Sequence, residues 1–431
     1  MGTLAPAVTA LRPLKGPFVA LLVALAALYG LWLIGWAPYA VHQVFVALLN
    51  IDAANPSTWI DAFAGLWQLA LFAVLPSSPW PLRLKLGLAG SGIVLTAAYQ
   101  LVLGTPMWWL YLYSFFSGAG LVMMGFLIHQ WIYSESSVQK DTAAYLIRGI
   151  LIFIGFGVVT KTFLLFSSAH AAPVLDWSAL KLDAASFWFS PSAWAWNAVR
   201  ENAAVRRILA IAYEALPFAM AAVFGIESRN PARMPFGLLK GLFVCGFVAA
   251  IAYSITPVSG PVYALGPAFP GNLDPLLEGA PGLLATAPGF SPRNAFPSMH
   301  WGWALLTLLL TAHCRWPVRI AFLAYALVIA GSTLALGEHY LVDLIASFPV
   351  MLAIVAVCVE GVSWRSVERR WAVFGGLGMY LAWSLMLRPS IAKILAEIPL
   401  VMSGWCVLSV AASVFLYRRL MLVWEKRTAG I

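Results

Sequence analysis

The sequence predicts an all-α fold, a polytopic membrane helix bundle of about twelve transmembrane helices. Apolar residues make up 62% of the chain and charged residues only 10%, whereas a soluble domain carries roughly 25% charged residues. The basic residues are scattered between apolar runs rather than gathered on one stripe. The formal net charge of +9 therefore indicates cytoplasmic loops and argues against a nucleic-acid partner.

Twelve apolar stretches, some only just long enough, could each cross a bilayer core. They are residues 17–36, 59–76, 84–104, 107–133, 145–167, 207–225, 236–256, 299–314, 317–336, 340–360, 371–387 and 397–417. If the N-terminus is cytoplasmic, most of the 26 Lys and Arg residues fall in cytoplasmic loops, which favours both termini inside. The first run is too long for a signal-peptide core, so we expect a retained helix in a bacterial inner membrane.

Two long loops fall on the predicted non-cytoplasmic side. Residues 168–206 contain several Trp residues and are either an interfacial segment at the headgroup level or a folded loop packed on the bundle. Residues 256–297 are rich in Pro and Gly with few charges, and so long a loop without a periodic pattern is usually functional. The predicted organisation is an N-terminal transmembrane bundle of unknown role (1–167), a Trp-rich loop (168–206), a core (207–360) and a C-terminal helix pair (361–431).

Two histidines lie at the same predicted membrane edge. His300 stands where a loop leads into the span at 299–314, and His339 stands just before the span at 340–360. His339 and Asp343 are four residues apart and share one helical face. Ionisable groups at the edge of a transmembrane helix are costly unless they have partners. These residues, with Arg293 on the same side, therefore indicate a functional site.

Two motifs resemble a known family. Residues 293–300 read RNAFPSMH and residues 337–343 read GEHYLVD, so P-S-x-H and H-x-x-x-D occur about forty residues apart. This pair resembles the type 2 phosphatidic acid phosphatase superfamily and is most similar to its branch containing inositol phosphorylceramide synthase. The Gly-Pro pairs within residues 253–270 are similar to the lead-in to that branch's catalytic loop. The resemblance covers roughly residues 207–360 and implies a six-helix phosphatase-like core.

The resemblance also implies a mechanism without a cofactor. His339 would attack phosphorus, and Asp343 would accept the other imidazole N–H and stabilise the developing cation. His300 would protonate the departing alcohol oxygen as general acid. Arg293 would bind two phosphate oxygens, because its planar guanidinium suits them. Ser298 and the amides at the start of the same helix would complete the anion site.

The sequence departs from the superfamily at two cationic positions. The first motif, a Lys followed seven residues later by Arg-Pro, has Leu381 before Arg388. The Ser-Arg that opens the third motif reads Ser332-Thr333. Two phosphate-binding cations are therefore missing, and Arg293 is the nearest substitute. Further candidates on the same side are Arg206, Arg207 and Lys161.

Several alternatives remain open. The expected substrate is a membrane phospholipid or lipid-linked phosphate, and the acceptor is either a lipid or sugar hydroxyl, which we favour, or water. Intramembrane polar residues (Gln68, Gln100 and Glu214) are compatible with a lipid or solute transporter. The missing motif is compatible with a lipid-binding scaffold without turnover. A metal held by the two histidines, Glu338 and Asp343 is disfavoured, because Glu338 and His339 are adjacent and point to different faces.

Overall fold

The structure is a computed structural model, and it describes residues 68–77, 79–103, 116–169, 174–229, 234–266, 269 and 293–428. All regular secondary structure in these residues is helical, which confirms the all-α prediction for this part of the chain. The helices are α1 (Leu82–Leu103), α2 (Ser117–Tyr133), α3 (Ser137–Ala169), α4 (Asp176–Phe187), α5 (Pro191–Val199), α6 (Ala203–Glu214), α7 (Leu216–Glu227), α8 (Leu238–Ile255), α9 (Pro261–Leu265), α10 (Met299–Thr311), α11 (Trp316–Ala335), α12 (Leu341–Cys358), α13 (Val367–Met386), α14 (Pro389–Ala396) and α15 (Pro399–Thr428).

The chain divides into two compact units. The first comprises Met1–Thr162 and Pro217–Leu239, and the second comprises Phe163–Leu216 and Lys240–Ile431. Within the first unit, α1 and α2 approach closely, and the Gly118 amide donates to Thr96 Oγ1 at 2.9 Å. In the same unit Phe224 stacks on Tyr145 with ring centroids 4.9 Å apart. Small and aromatic residues thus form its helix contacts.

The centre of the second unit is α12. In its most apolar stretch 83% of the residues are buried, against 28% in α11 and 22% in α15. A helix that is apolar on all sides is stable only when it is surrounded, and α12 packs against α4, α10, α13 and α15. Small residues permit the close approach: a side-chain carbon on Gly302 would lie 2.9 Å from Met351 Sδ. Because α12 is held from several directions, the residues at its ends are positioned precisely.

Two cationic side chains from neighbouring helices donate hydrogen bonds to carbonyls at the C-terminal end of α12. Arg369 donates from Nε to the Ala356 carbonyl at 2.8 Å and from Nη2 to the Val357 carbonyl at 2.9 Å. Its Nη1 donates to a further carbonyl just beyond the helix. Lys240 Nζ donates to the Cys358 carbonyl at 3.0 Å. The last carbonyls of a helix have no intrahelical donor, so these side chains satisfy them.

Four helices in the described residues are long and apolar enough to cross a membrane, namely α8, α11, α12 and α15. The number rises to five if α6 and α7 are counted as one span, because the apolar run predicted at 207–225 is interrupted at residue 215. The predicted span at 17–36, the first half of 59–76 and the beginning of 107–133 lie outside the described residues. The structure therefore indicates a membrane protein, while the count of about twelve spans stays a prediction.

Candidate active site

The loop between α11 and α12 positions His339. The Glu338 and His339 amides both donate to the Thr333 carbonyl, at 3.0 and 3.2 Å. Gly337 has a φ of +72°, which favours glycine. Gly260 has a φ of +98° and approaches the Glu338 carbonyl so closely that a side chain there would collide with it. The loop is thus clamped on both sides immediately before the helix begins.

The hydrogen bonds of His339 fix its tautomer. The ring is 3% exposed, and its Nδ1 lies 3.0 Å from the Ala295 carbonyl oxygen and 3.5 Å from Asp343 Oδ2. A carbonyl oxygen only accepts, so Nδ1 carries the hydrogen and Nε2 keeps its lone pair. Burial lowers the pKa of His339 to about 4, although Glu338 and the bond to Ala295 oppose this. The imidazole is therefore neutral and nucleophilic at pH 7.

Asp343 is fully buried beneath this ring. Its Oδ2 accepts from the Tyr340 amide at 2.8 Å, which caps the first turn of α12. Its Oδ1 has no hydrogen-bond partner among the described residues. The i, i+4 relation predicted for His339 and Asp343 is thus present as a close contact.

His300 lies on the first turn of α10. Its Nδ1 is 3.0 Å from the hydroxyl oxygen of Tyr213 on α6. The Tyr213 ring stacks on the imidazole with a centroid distance of 4.1 Å and an interplanar angle of 18°. The centroids of His300 and His339 are 6.5 Å apart. The structure therefore brings together the two histidines that the sequence places about forty residues apart.

Ser298 is the N-cap of α10. Its hydroxyl accepts from the Trp301 amide at 3.3 Å, and its own amide donates to the Asp343 carbonyl at 3.2 Å. Ser347 Oγ bonds the carbonyls of both Ser298 and Asp343, at 2.9 and 2.8 Å. These bonds join the start of α10 to the start of α12. Ser298 is fully buried, and its predicted contact with phosphate stays a prediction.

Arg293 is buried without a full set of partners. It is 7% exposed, and its Nε and Nη1 have no hydrogen-bond acceptor among the described residues. It interacts electrostatically with Asp176, which opposes the lowering of the Arg293 pKa by burial. Buried charged groups are normally paired. A guanidinium held in this state is suited to an anionic ligand.

Two buried carboxylates on α4 were missed by the sequence analysis. Asp176 accepts from the Ser259 and Gly260 amides, each at 2.9 Å, and from the Tyr340 hydroxyl at 3.2 Å. Asp183 accepts from the Val342 amide at 2.9 Å. Burial raises the pKa of Asp176 to about 7. The available signal was two acids seven residues apart, which share one helical face.

The Trp-rich segment therefore has two kinds of residue. α4 buries eight of its residues, among them Trp177 and both aspartates, and this is the packed arrangement that was one of the two alternatives. Trp188 and Trp194, in contrast, are 68% and 66% exposed. Exposed indole rings of this kind are stable at a membrane interface.

The positions of the missing motif cations contain no substitute. The hydroxyls of Ser332 and Thr333 donate to carbonyls of their own helix, α11, at 2.7 and 2.8 Å. Leu381 is 51% exposed, and Arg388 Nη2 donates to the Ile255 carbonyl at 3.0 Å.

Arg206 and Lys161 were further candidates for a phosphate contact. The guanidinium of Arg206 lies 6.0 Å from the ring centroid of Trp196, and the Lys161 side chain is not among the described ones. No group of three or more His, Cys, Asp or Glu among the described residues could hold a metal ion.

Apolar helices indicate a helical membrane protein, and the two imidazoles with Asp343 form a candidate site for phosphate chemistry. Residues 180–357 match a family model described as the PAP2 superfamily. This match supports a similarity of residues 180–357 to the type 2 phosphatidic acid phosphatase superfamily. No curated protein and no solved structure matches the chain significantly.

Proposed function

We propose that this protein is a lipid phosphotransferase that forms a phospho-histidine on His339 and passes a phospho-headgroup to a hydroxyl acceptor. The observation that carries the proposal is the pair of imidazoles 6.5 Å apart, each bonded to the protein through Nδ1. Both Nε2 atoms are thereby left for a substrate. The proposed site faces the periplasm or the cell exterior, as the charge distribution predicts.

In the first half-reaction, His339 Nε2 forms a bond to phosphorus while the bond from phosphorus to the lipid alcohol oxygen breaks. The positive charge on the ring is stabilised by Asp343, whose Oδ2 lies 3.5 Å from Nδ1. His300, protonated when the anionic phosphate is bound, gives its Nε2 proton to the departing oxygen. Arg293 neutralises the phosphoryl oxygens with N–H groups that have no other acceptor among the described residues.

In the second half-reaction, the acceptor oxygen attacks phosphorus and the bond to His339 breaks. His300, now neutral, takes the proton of the acceptor hydroxyl. The resemblance to the inositol phosphorylceramide synthase branch and the helices outside residues 207–360 favour a lipid or sugar hydroxyl over water. Hydrolysis to free phosphate uses the same first half-reaction and is the second candidate, since the PAP2 match implies a phosphatase-like enzyme.

The experiment is turnover of labelled phospholipids by the protein purified in detergent. Phosphatidic acid, phosphatidylethanolamine, phosphatidylglycerol and phosphatidylinositol are supplied with and without diacylglycerol or ceramide, and free phosphate and new lipids are measured. His339→Ala and His300→Ala should each lose activity by about 10³-fold or more. Acid-labile, alkali-stable label should accumulate on the wild type and not on His339→Ala.

The matched control is His313→Ala. His313 follows the other end of α10, where its ring packs against Trp424 with centroids 5.1 Å apart. This variant should retain wild-type turnover. Turnover that survives the loss of His339, or the absence of turnover with every lipid, would contradict the proposal and favour transport or lipid binding.

A further inference from the structure

The two histidines of the site have chemically different partners. His339 Nδ1 has the carboxylate of Asp343 at 3.5 Å in addition to the Ala295 carbonyl. His300 Nδ1 has a phenol, the Tyr213 hydroxyl at 3.0 Å. A carboxylate strongly favours the cationic form of an imidazole, whereas a neutral hydroxyl favours it only modestly. The partners therefore make His339 the stronger base and His300 the better proton donor.

Tyr213 is held in a defined place by the neighbouring helix. The hydroxyl of Tyr325 on α11 donates to the Ala212 carbonyl at 2.8 Å, next to Tyr213 in α6. The Tyr213 ring stacks on the His300 imidazole with a centroid distance of 4.1 Å. Tyr213 therefore fixes both the plane of the imidazole and one of its nitrogens. None of the residues of α6 is fully buried, and this contact joins a peripheral helix to the site.

The hydroxyl oxygen of Tyr213 can accept Nδ1–H of His300 in both protonation states of the ring. With the hydrogen held on Nδ1, Nε2 is the atom that releases the proton in the first half-reaction and accepts one in the second. The charged or titratable groups near this pair are His339 and Glu338 before α12, Glu214 on α6, Tyr253 on α8 and Tyr263 on α9. Each is present in the wild type and in the variants below, so their effects cancel in the comparison.

We infer that Tyr213 is a positioning residue, which fixes the tautomer and plane of His300 so that Nε2 transfers the proton to and from the substrate oxygens. This inference rests on the proposed function. It assigns a role to a residue outside both motifs, on a helix about ninety residues before His300. It also gives a structural reason why one imidazole is the nucleophile and the other the acid.

The test is Tyr213→Phe, which keeps the stacked ring and removes the hydroxyl. Turnover should fall about tenfold with an unchanged KM, because substrate binding does not use the phenol. The hydrogen bond favours protonated His300, so its loss should move the alkaline limb of kcat/KM to lower pH by about one unit. The activity of the variant should therefore be lost earlier as pH rises.

Tyr325→Phe distinguishes the positioning of His300 by the Tyr213 hydroxyl from the packing of α6 against α11. This variant removes the bond to the Ala212 carbonyl but leaves the Tyr213 hydroxyl in place, so it should not move the alkaline limb. An identical pH profile in the two variants would overturn the inference, as would a Tyr213→Phe profile equal to the wild type. If the wild type itself has no turnover, or if His339→Ala keeps it, the proposed function fails first and the inference fails with it.

Discussion

A buried arginine from another part of the chain lies near each end of α12, and the two arginines differ in their partners. Arg369, at the C-terminal end, is 5% exposed and donates from all three of its guanidinium nitrogens to carbonyl oxygens. Arg293, near the N-terminal end, is 7% exposed, but its Nε and Nη1 lack acceptors among the described residues. Burial is nearly equal, so it does not explain the difference.

If the proposed function holds, the C-terminal end of α12 stabilises the fold and the N-terminal end binds the ligand. Leaving a buried N–H unpaired costs about 1–3 kcal/mol, and more when the group is charged. A protein retains such a cost where a ligand supplies the missing partner, as expected at sites that trade stability for function. Asp343 Oδ1 and Asp183 Oδ2, at the same end as Arg293, also lack partners among the described residues. Three of the side chains with unpaired polar atoms, Arg293, Asp343 and Asp183, thus lie near the N-terminal end of α12.

Arg293→Ala should have the largest effect on activity and almost none on stability. Two charge-assisted bonds to a phosphoryl group are lost, so kcat/KM should fall by about 10²- to 10³-fold. The thermal unfolding midpoint should change little, because two of the three guanidinium nitrogens have no acceptor to lose among the described residues. Turnover and thermal unfolding in the same detergent measure both quantities.

Arg293→Lys is the matched variant. Lysine keeps the charge but not the planar pair of donors, so it should recover only part of the lost activity. Full recovery would mean that Arg293 acts as a charge alone. A large fall in the unfolding midpoint of Arg293→Ala would mean that Arg293 resembles Arg369, and the contrast between the two ends would be lost.

Arg369→Ala should show the opposite pattern. The variant leaves carbonyls at the end of α12 without donors and removes the contact of the guanidinium with the Trp364 ring, 3.8 Å away. The free energy of unfolding should fall by about 3 kcal/mol. Turnover per folded molecule should change less than about twofold, since the variant is remote from the histidines. A selective loss of kcat with an unchanged midpoint would contradict this assignment.

The helices could be predicted from apolar runs, because a bilayer imposes length and composition on each span. The runs at 236–256, 317–336 and 340–360 coincide with α8, α11 and α12 within a few residues. The division of the run at 207–225 into α6 and α7 was not predicted. The sequence does carry a signal for it, because Glu214 directly precedes the break at residue 215 and Pro217 lies in the first turn of α7, where proline is tolerated.

Asp183 should affect stability only through its hydrogen bond at the start of α12. Asp183→Ala removes the acceptor for the Val342 amide and should lower the free energy of unfolding by about 1–2 kcal/mol. Asp183→Asn keeps an acceptor oxygen, and burial already raises the pKa of Asp183 well above its usual value. The Asn variant should therefore unfold within about 0.5 kcal/mol of the wild type. Equal losses in both variants would show that the charge, and not the bond, matters.

The motif residues of the candidate site could be predicted from the sequence, but the residues that hold them in place could not. His300, His339, Asp343 and Arg293 follow from two short sequence patterns, and the structure brings the first three together. Asp183 contacts a residue 159 positions away and Asp176 a residue 164 positions away, and Tyr213 contacts a residue 87 positions away. Such partners depend on which helices pack together, and a single sequence carries little information about that.

The smallest expected effect is the response of the site to acid. Burial lowers the pKa of His339 to about 4, so the free protein keeps its nucleophile neutral well below the usual histidine range. With a phosphodiester lipid, which does not titrate in this range, kcat/KM should not fall between pH 7 and pH 5.5, because His339 becomes protonated only below this interval and protonation of the general acid His300 raises the rate. An ordinary histidine with a pKa of about 6.5 would lose roughly tenfold over the same interval. A tenfold fall of kcat/KM between pH 7 and pH 5.5 would mean that Asp343 raises the pKa of His339 more than burial lowers it. That outcome would contradict a neutral nucleophile in this pH range.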